Sequence, residues 1–311
     1  MHHENPRINK NLKGRFAPTP SGRLHFGSLT CALASYLDVK ARNGSWIIRI
    51  DDLDSPRVQK GASQDIIRTL EHFRLVSDEP IRRQSDNLKL YEEIFDDLIH
   101  KNLTYKCECS RKRLQSLNNV YDYRCRNKKL SNEKTSVRLK ISETNNVQNF
   151  IDNIQGNQET AHITSDFIIR RKDKIFAYEY AVVIDDYVQN ITSVLRGADL
   201  ISSTFNQLTL HKSLNFNPPL YSHIPVVENK DGKKMSKSNN ALMEFSKTKL
   251  SILYLALDWL GQNPPAELKN ESNQIIIDWA KKNWCPKAIP QLLSKSITEQ
   301  PQILQTKFTE Q

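Results

Sequence analysis

The tetrapeptide His25-Phe26-Gly27-Ser28 follows a β-prone stretch and the turn formers Pro18-Thr19-Pro20-Ser21-Gly22, and it stands where a helix should begin. A helix start offers unpaired N–H groups and a partial positive charge. A glycine lets backbone approach closely, and a histidine can donate to a phosphate oxygen. Phosphate binding is the chemistry this pattern would serve, although a histidine at a helix start is more often structural. Far downstream, Lys233-Lys234-Met235-Ser236-Lys237-Ser238 follows the turn-like Asn229-Lys230-Asp231-Gly232. Taken alone, such a lysine cluster is a solvated loop; beside a phosphate site it supplies movable ammonium groups for a polyanion. A third grouping sets Cys107, Cys109 and Cys125 close together in sequence. Three thiolates plus one more ligand satisfy tetrahedral zinc, and reduced, packed cysteines are the alternative.

The elements around these residues suggest an α/β fold. Gly14–Ala17 reads as a strand, a helix with Ser28 as its N-cap runs to the stop signal Asn43-Gly44, and Ser45–Ile50 (SWIIRI) is a second strand. A helix over 62–73 completes a strand, helix, strand, helix order, which predicts a parallel sheet covered by helices. Leu90, Ile94, Leu98 and Tyr91 line one side of an amphipathic segment over 88–101. Residues 102–165 are polar and irregular and read as an insertion. Strands are expected at Asp166–Arg170, Ala177–Asp185 and Ile191–Leu195, a helix from Ser203, and a helical unit from Phe245 onward with SILYLALDWL at its centre. The units are therefore 1–101 and 166–240 as two halves of one domain, 102–165 as the insertion, and 241–311 as a small C-terminal helical unit.

The 311 residues carry 45 Lys and Arg against 35 Asp and Glu, a net charge of +10. That balance favours a polyanionic partner and salt-sensitive binding to it. No run approaches the roughly 18 apolar residues of a membrane span, and the polar start lacks a signal-peptide core, so a cytoplasmic protein without a membrane partner is expected. Five cysteines do not make a disulfide framework; Cys31 and Cys285 read as small packed residues.

GRFAPTPSGRLHFGSL and KKMSKS resemble the two signatures of class I aminoacyl-tRNA synthetases. The second matches outright at Lys234–Ser238; the first matches at His25 and Gly27 and has Ser28 in its last position. RFAPTPSG, RIDDLDSPR, YEYAVVIDD and LRGADLISST are similar, in order and spacing, to the glutamyl-tRNA synthetase group. The resemblance implies a Rossmann-like parallel sheet with an inserted zinc-containing subdomain. It implies ATP, with Mg2+, held by His25, Gly27, Ser28, Lys234, Ser236 and Lys237, with His25 and Lys237 catalytic. It implies L-glutamate held by Arg15, Ala17, Thr19, Asp51, Tyr178 and Arg196: arginine forks suit planar carboxylates, and Asp51 faces the amine. One structural zinc per chain would take Cys107, Cys109 and Cys125, with Tyr121 of YDYRC as fourth ligand; His100 or water are alternatives. Departures from the group are Asp51, where relatives carry glutamate, Val182 in place of asparagine and Asn206 in place of arginine.

Only 73 residues follow Ser238, too few for the helical anticodon-binding region of that group. With LHFGSLTCALASYL and ALDWLGQNPP, this makes the chain look like the short members that glutamylate queuosine in the anticodon loop of tRNA(Asp), and a monomer is expected. A truncated synthetase that charges a tRNA 3′ end, and an inactive RNA-binding homologue, are the competing readings. Retention of both ATP signatures and both carboxylate forks argues against the last.

Overall fold

A computed structural model describes residues 12–117, 120–131, 134–160, 165–228 and 251–296. In chain order its elements are β1 (Lys13–Phe16), α1 (Phe26–Lys40), β2 (Ser45–Ile50), α2 (Ala62–His72), β3 (Arg82–Arg83) and α3 (Leu88–His100). Next come β4 (Thr104–Cys107), α4 (Arg111–Ser116), β5 (Ser136–Leu139), β6 (Asn149–Asp152), β7 (Gly156–Glu159) and β8 (Ile168–Arg170). The chain continues through α5 (Tyr178–Val188), β9 (Ser193–Gly197), α6 (Ile201–Leu214), β10 (Leu220–Ile224) and β11 (Val226–Glu228). Last are α7 (Ile252–Trp259), α8 (Asn273–Asn283) and β12 (Ser294–Ser296).

The apolar run of β2 is buried along nearly its whole length, as a strand covered on both faces must be. It lies in a five-stranded sheet of order β10-β9-β1-β2-β3, and every pairing in it is parallel. On one face α1 buries Leu29, Leu33 and Leu37 completely, each such leucine contributing about 2 kcal/mol. Close packing of α1 on β1 needs Gly14, where an added Cβ would lie 2.8 Å from Val39 Cγ1. The same core takes in Leu253, Leu257 and Leu260 of the α7 region and Ile276 and Ala280 of α8. A second core gathers Tyr91, Phe95 and Leu98 of α3 against Tyr180–Ile184 of α5. Among the described residues no helix is long and apolar enough to cross a membrane.

Several elements differ from the sequence reading. Ala177–Asp185 is not a strand but the start of α5: Tyr180–Asp186 are all buried, so the helix shows no polar face and its apolar run imitates a strand. The cap of α1 is His25 rather than Ser28. The strand expected at Ile191–Leu195 lies two residues later as β9, and α6 starts at Ile201. The stretch read as irregular contains β4, α4 and β5, and β4-β5-β8 form an antiparallel sheet. The hairpin of β6 and β7 packs beside β10, with Asn153 N–H bonded to Tyr221 O at 3.0 Å. In the C-terminal unit α7 and α8 are helical as expected, and β12, which pairs in parallel with β11, was not foreseen. Residues 245–250 lie outside the described residues. Cys31 packs against the core, whereas Cys285 is exposed.

Candidate active site

Beyond β1 the chain turns through Pro18–Gly22 and enters α1 at His25, whose extended backbone leaves the side chain over the first helical turn. His25 Nδ1 accepts from Ser28 N–H at 3.3 Å, and its Nε2 lies 2.9 Å from Ser28 Oγ. A cavity of about 370 Å³ opens here, lined by Thr19, His25, Gly27, Ser28, Gly197 and Asp199 among others. Gly27 is fixed by packing as well as by any ligand: a Cβ there would lie 3.2 Å from Val227 Cβ and from His25 Cε1. Val226 and Val227 of β11 close another wall. Lys234, Ser236 and Lys237 lie outside the described residues; β11 ends at Glu228, shortly before them.

Behind the sheet's C-terminal edge sits a buried ion network. Arg15 gives Nε and Nη2 to Asp186 at 3.1 and 3.0 Å. Arg49 gives Nε to Asp51 at 2.8 Å and Nη1 to Asp186 at 2.7 Å, and its Nε lies 3.5 Å from Asp185. Asp185 is also held by Gln84, Asn87 and Tyr91 at 2.7–2.8 Å. Three carboxylates thus share two guanidiniums, leaving one negative charge in excess when all are ionised. Burial pushes the Asp51 carboxyl up to about 6 against the pull of Arg49. Burial would raise Asp186 too, but Arg15 and Arg49 outweigh it and hold that carboxyl at about 2. Asp51 Oδ2 is buried without a hydrogen-bond partner among the described residues. An unpartnered carboxylate oxygen in a region of excess negative charge suits an ammonium group.

Arg196, on β9, is 4% exposed and almost fully engaged. Its Nε donates to His223 Nε2 at 3.0 Å, its Nη2 to Thr204 Oγ1 at 2.7 Å, and its Nη1 to the Tyr178 hydroxyl at 3.4 Å. His223 in turn meets Asp152 Oδ2 through Nδ1 at 2.6 Å. Tyr178 opens α5, is partly exposed and meets Arg196 through its hydroxyl. Ala17 follows β1 directly, Val182 is buried in the second core, and Asn206 lines a second cavity.

That second cavity, of about 650 Å³, runs between β7, the 120–121 turn and the starts of α5 and α6, with Arg138, Glu159, Arg171, Glu179 and Asn206 in its walls. Leu200 lines the first cavity and Ile201 the second. The two spaces therefore flank the short segment that holds Arg196 through Leu200 O and Thr204.

At the end of β4, the ligand atoms of Cys107, Cys109 and Cys125 all lie within 4.8 Å of one another. Cys109 Sγ is 3.7 Å from Cys125 Sγ, and the Tyr121 hydroxyl is 3.8 Å from Cys107 Sγ. Zn–S distances of about 2.3 Å set tetrahedral sulfurs about 3.8 Å apart, so these residues fit zinc. Burial alone would raise the Cys107 thiol, but its bond with Arg138 and its other partners draw it down to about 7. Tyr121 is buried under the Arg138 guanidinium, 3.7 Å from its ring centre, and its hydroxyl accepts from Cys125 N–H at 2.8 Å. His100 is not among the clustered residues; it ends α3.

Sequence reasoning did not single out Arg49, Asp185, Asp186, Asp152 or His223. A signal was present for four of them, since Arg49, Asp185, Asp186 and His223 each lie in or beside an apolar run, where a charge must find a partner.

The family described as "tRNA synthetases class I (E and Q), catalytic domain" matches residues 11–251. A protein named glutamyl-Q tRNA(Asp) synthetase from Pseudomonas fluorescens is 42% identical over 283 residues, covering 90% of this chain and 94% of that one. A protein of the same name from Photobacterium profundum is 38% identical, covering 92% of each. Among solved structures, a glutamate tRNA ligase from Elizabethkingia meningosepticum in complex with its amino acid shares the fold. Its TM-score is 0.73 at 22% identity, over 93% of this chain and 67% of that one.

Proposed function

The chain belongs to the class I tRNA synthetases for glutamate and glutamine, and within them to the glutamyl-Q tRNA(Asp) synthetases, a ligase family; from this premise we propose that it activates L-glutamate with ATP, without tRNA, and transfers it to queuosine at the wobble position of tRNA(Asp). The supporting observation is the arrangement around Arg196: a cavity on the His25 side and a second beyond Ile201 flank the segment that holds its guanidinium, and Asp51 offers an unpartnered buried carboxylate oxygen.

In this reading ATP, as its Mg2+ complex, occupies the His25 cavity. Arg15 and Arg196 take the carboxylates of glutamate, Asp51 takes its ammonium, Tyr178 touches its side chain, and Ala17 and Thr19 border it. A glutamate carboxylate oxygen attacks the α-phosphorus and pyrophosphate leaves. Charge gathers on the phosphate as it does so, and preplaced cations such as Lys237, supported by Lys234, favour that state over the ground state. A hydroxyl of the queuosine cyclopentenediol, entering by the second cavity, then attacks the glutamyl carbonyl and AMP leaves. Cys107, Cys109, Cys125 and Tyr121 would hold zinc, which when bound locks the end of β4 to the 121–125 turn as a structural link. With ATP and tRNA as its partners, the proposed reaction is a cytoplasmic one.

Transfer of labelled glutamate to queuosine-containing tRNA(Asp), its unmodified counterpart and tRNA(Glu) tests this. Label confined to the queuosine-containing RNA is the expected result. Label on tRNA(Glu) would establish 3′-end charging instead, and no ATP–pyrophosphate exchange would leave an inactive homologue.

A further inference from the structure

Tyr123 has a φ of +58°, in the left-handed region where a bulky side chain is an outlier, and it is 38% exposed. Such a conformation persists only where the surroundings impose it, and here they hold the ring in place. The Arg126 guanidinium lies 5.3 Å from the ring centroid and is itself tied to Asp166 at 3.2 Å and to the Ile141 carbonyl. Tyr121 meets the ring edge-on at 5.9 Å. A phenol is thus propped by Arg126 and Tyr121 and keeps 38% of its surface open to solvent.

The surroundings are cationic. Residues 104–131 hold eight basic side chains and two acidic ones. The two acids are matched, Glu108 by Lys128 and Asp122 by Arg113. Arg111, Lys112, Arg124 and Lys129 are exposed and make no ion pair among the described residues. Val120 and Tyr121, just before Tyr123, line the 650 Å³ cavity, so this turn adjoins it.

We propose that Tyr123 is a stacking platform for an unpaired base of the RNA substrate, with Arg111, Lys112, Arg124 and Lys129 on the adjoining phosphates. A partly exposed aromatic ring among unpaired cations is the chemistry that binds single-stranded RNA: the ring takes the base by stacking and the cations follow the backbone. Its place beside the second cavity lets it hold a neighbour of the base that enters there. This rests on the reading of the chain as acting on an RNA loop.

Tyr123→Gly, Tyr123→Leu and Tyr123→Phe in the full, metal-loaded protein test it by direct binding of queuosine-containing tRNA(Asp). Stacking contributes about one decade or more in affinity per base, so the Gly and Leu variants should bind about tenfold more weakly, and the Phe variant, which keeps the ring, within about twofold. ATP–pyrophosphate exchange should stay unchanged in all three. Tyr123→Gly should also melt no lower than the wild type, because glycine adopts a φ of +58° without strain. Should the wild type bind while the Gly and Leu variants bind equally well, the platform is refuted and the RNA reading stands. A loss as large with Phe as with Leu refutes stacking in favour of the hydroxyl. A wild type that binds no tRNA overturns the RNA reading and the platform together.

Discussion

Arg196 donates from Nε to His223 Nε2 at 3.0 Å, a bond in which only the histidine can accept. The imidazole proton therefore sits on Nδ1, where it meets Asp152 Oδ2 at 2.6 Å, and the ring is neutral. Burial holds the His223 pKa below its ordinary value, in agreement with that state. A carboxylate on the β6–β7 hairpin thus orients the arginine expected to hold a substrate carboxylate, acting through the histidine between them.

His223→Ala should accordingly raise the KM for glutamate about tenfold, the usual cost of losing an orienting partner, while kcat in ATP–pyrophosphate exchange moves far less. His223→Gln can still accept from Arg196 and should recover most of the loss. Equal falls in kcat for both variants would show that the residue merely supports the fold.

The Asp51 carboxyl must be ionised to receive an ammonium group, and burial puts its pKa at about 6. The kcat/KM for glutamate should then fall about tenfold per unit as pH drops below 6, well above the range where glutamate's own side chain titrates. The same raised pKa makes ionised Asp51 a cost to folding above pH 6, relieved as pH falls, so activity and this contribution to stability move in opposite directions. A profile flat down to pH 5 would remove Asp51 from the amine site.

Asp186 behaves in the opposite sense. Held at about 2 by Arg15 and Arg49, below an ordinary 3.8, it contributes stability that is complete above pH 4 and lost as pH falls through 2. Asp186→Asn leaves two buried guanidiniums short of a partner and should destabilise the protein by about 3 kcal/mol. Chemical denaturation checks this; a variant as stable as the wild type would mean that Asp51 and Asp185 suffice.

Zinc should be present at about one ion per chain in protein purified without chelator, and its removal should lower the melting temperature by releasing the 121–125 turn from β4. Cys125→Ser should do the same and leave glutamate activation largely intact. Metal content well below one per chain, with unchanged melting after chelation, would leave the thiols as packed side chains.

What could be read in advance follows from how each signal arises. β1, β2, α2 and α3 were legible because their burial is one-sided or continuous over a recognisable length. α5 was not: with Tyr180–Asp186 buried all round, a helix and a strand present the same apolar run. The strands β4, β6 and β7 are four residues each, below what alternation can reveal. Arg15, Asp51, Tyr178 and Arg196 were named by resemblance, but the spacing in sequence could not show that Asp186 already occupies two nitrogens of Arg15. His25 as a helix cap was hidden because histidine is not a preferred capping residue.

The parallel pairing of β11 with β12 joins segments separated by the whole C-terminal helical region. Contacts of such sequence separation form late, after the closure cost of the intervening chain has been met. Val226 and Val227 of β11 are walls of the His25 cavity, and β12 is the strand that pairs with them, so docking of β12 is expected to fix that wall. During refolding, closure of the His25 cavity should therefore lag recovery of the far-ultraviolet helical signal, and an emerging chain should complete that cavity only after Ser296 has been made.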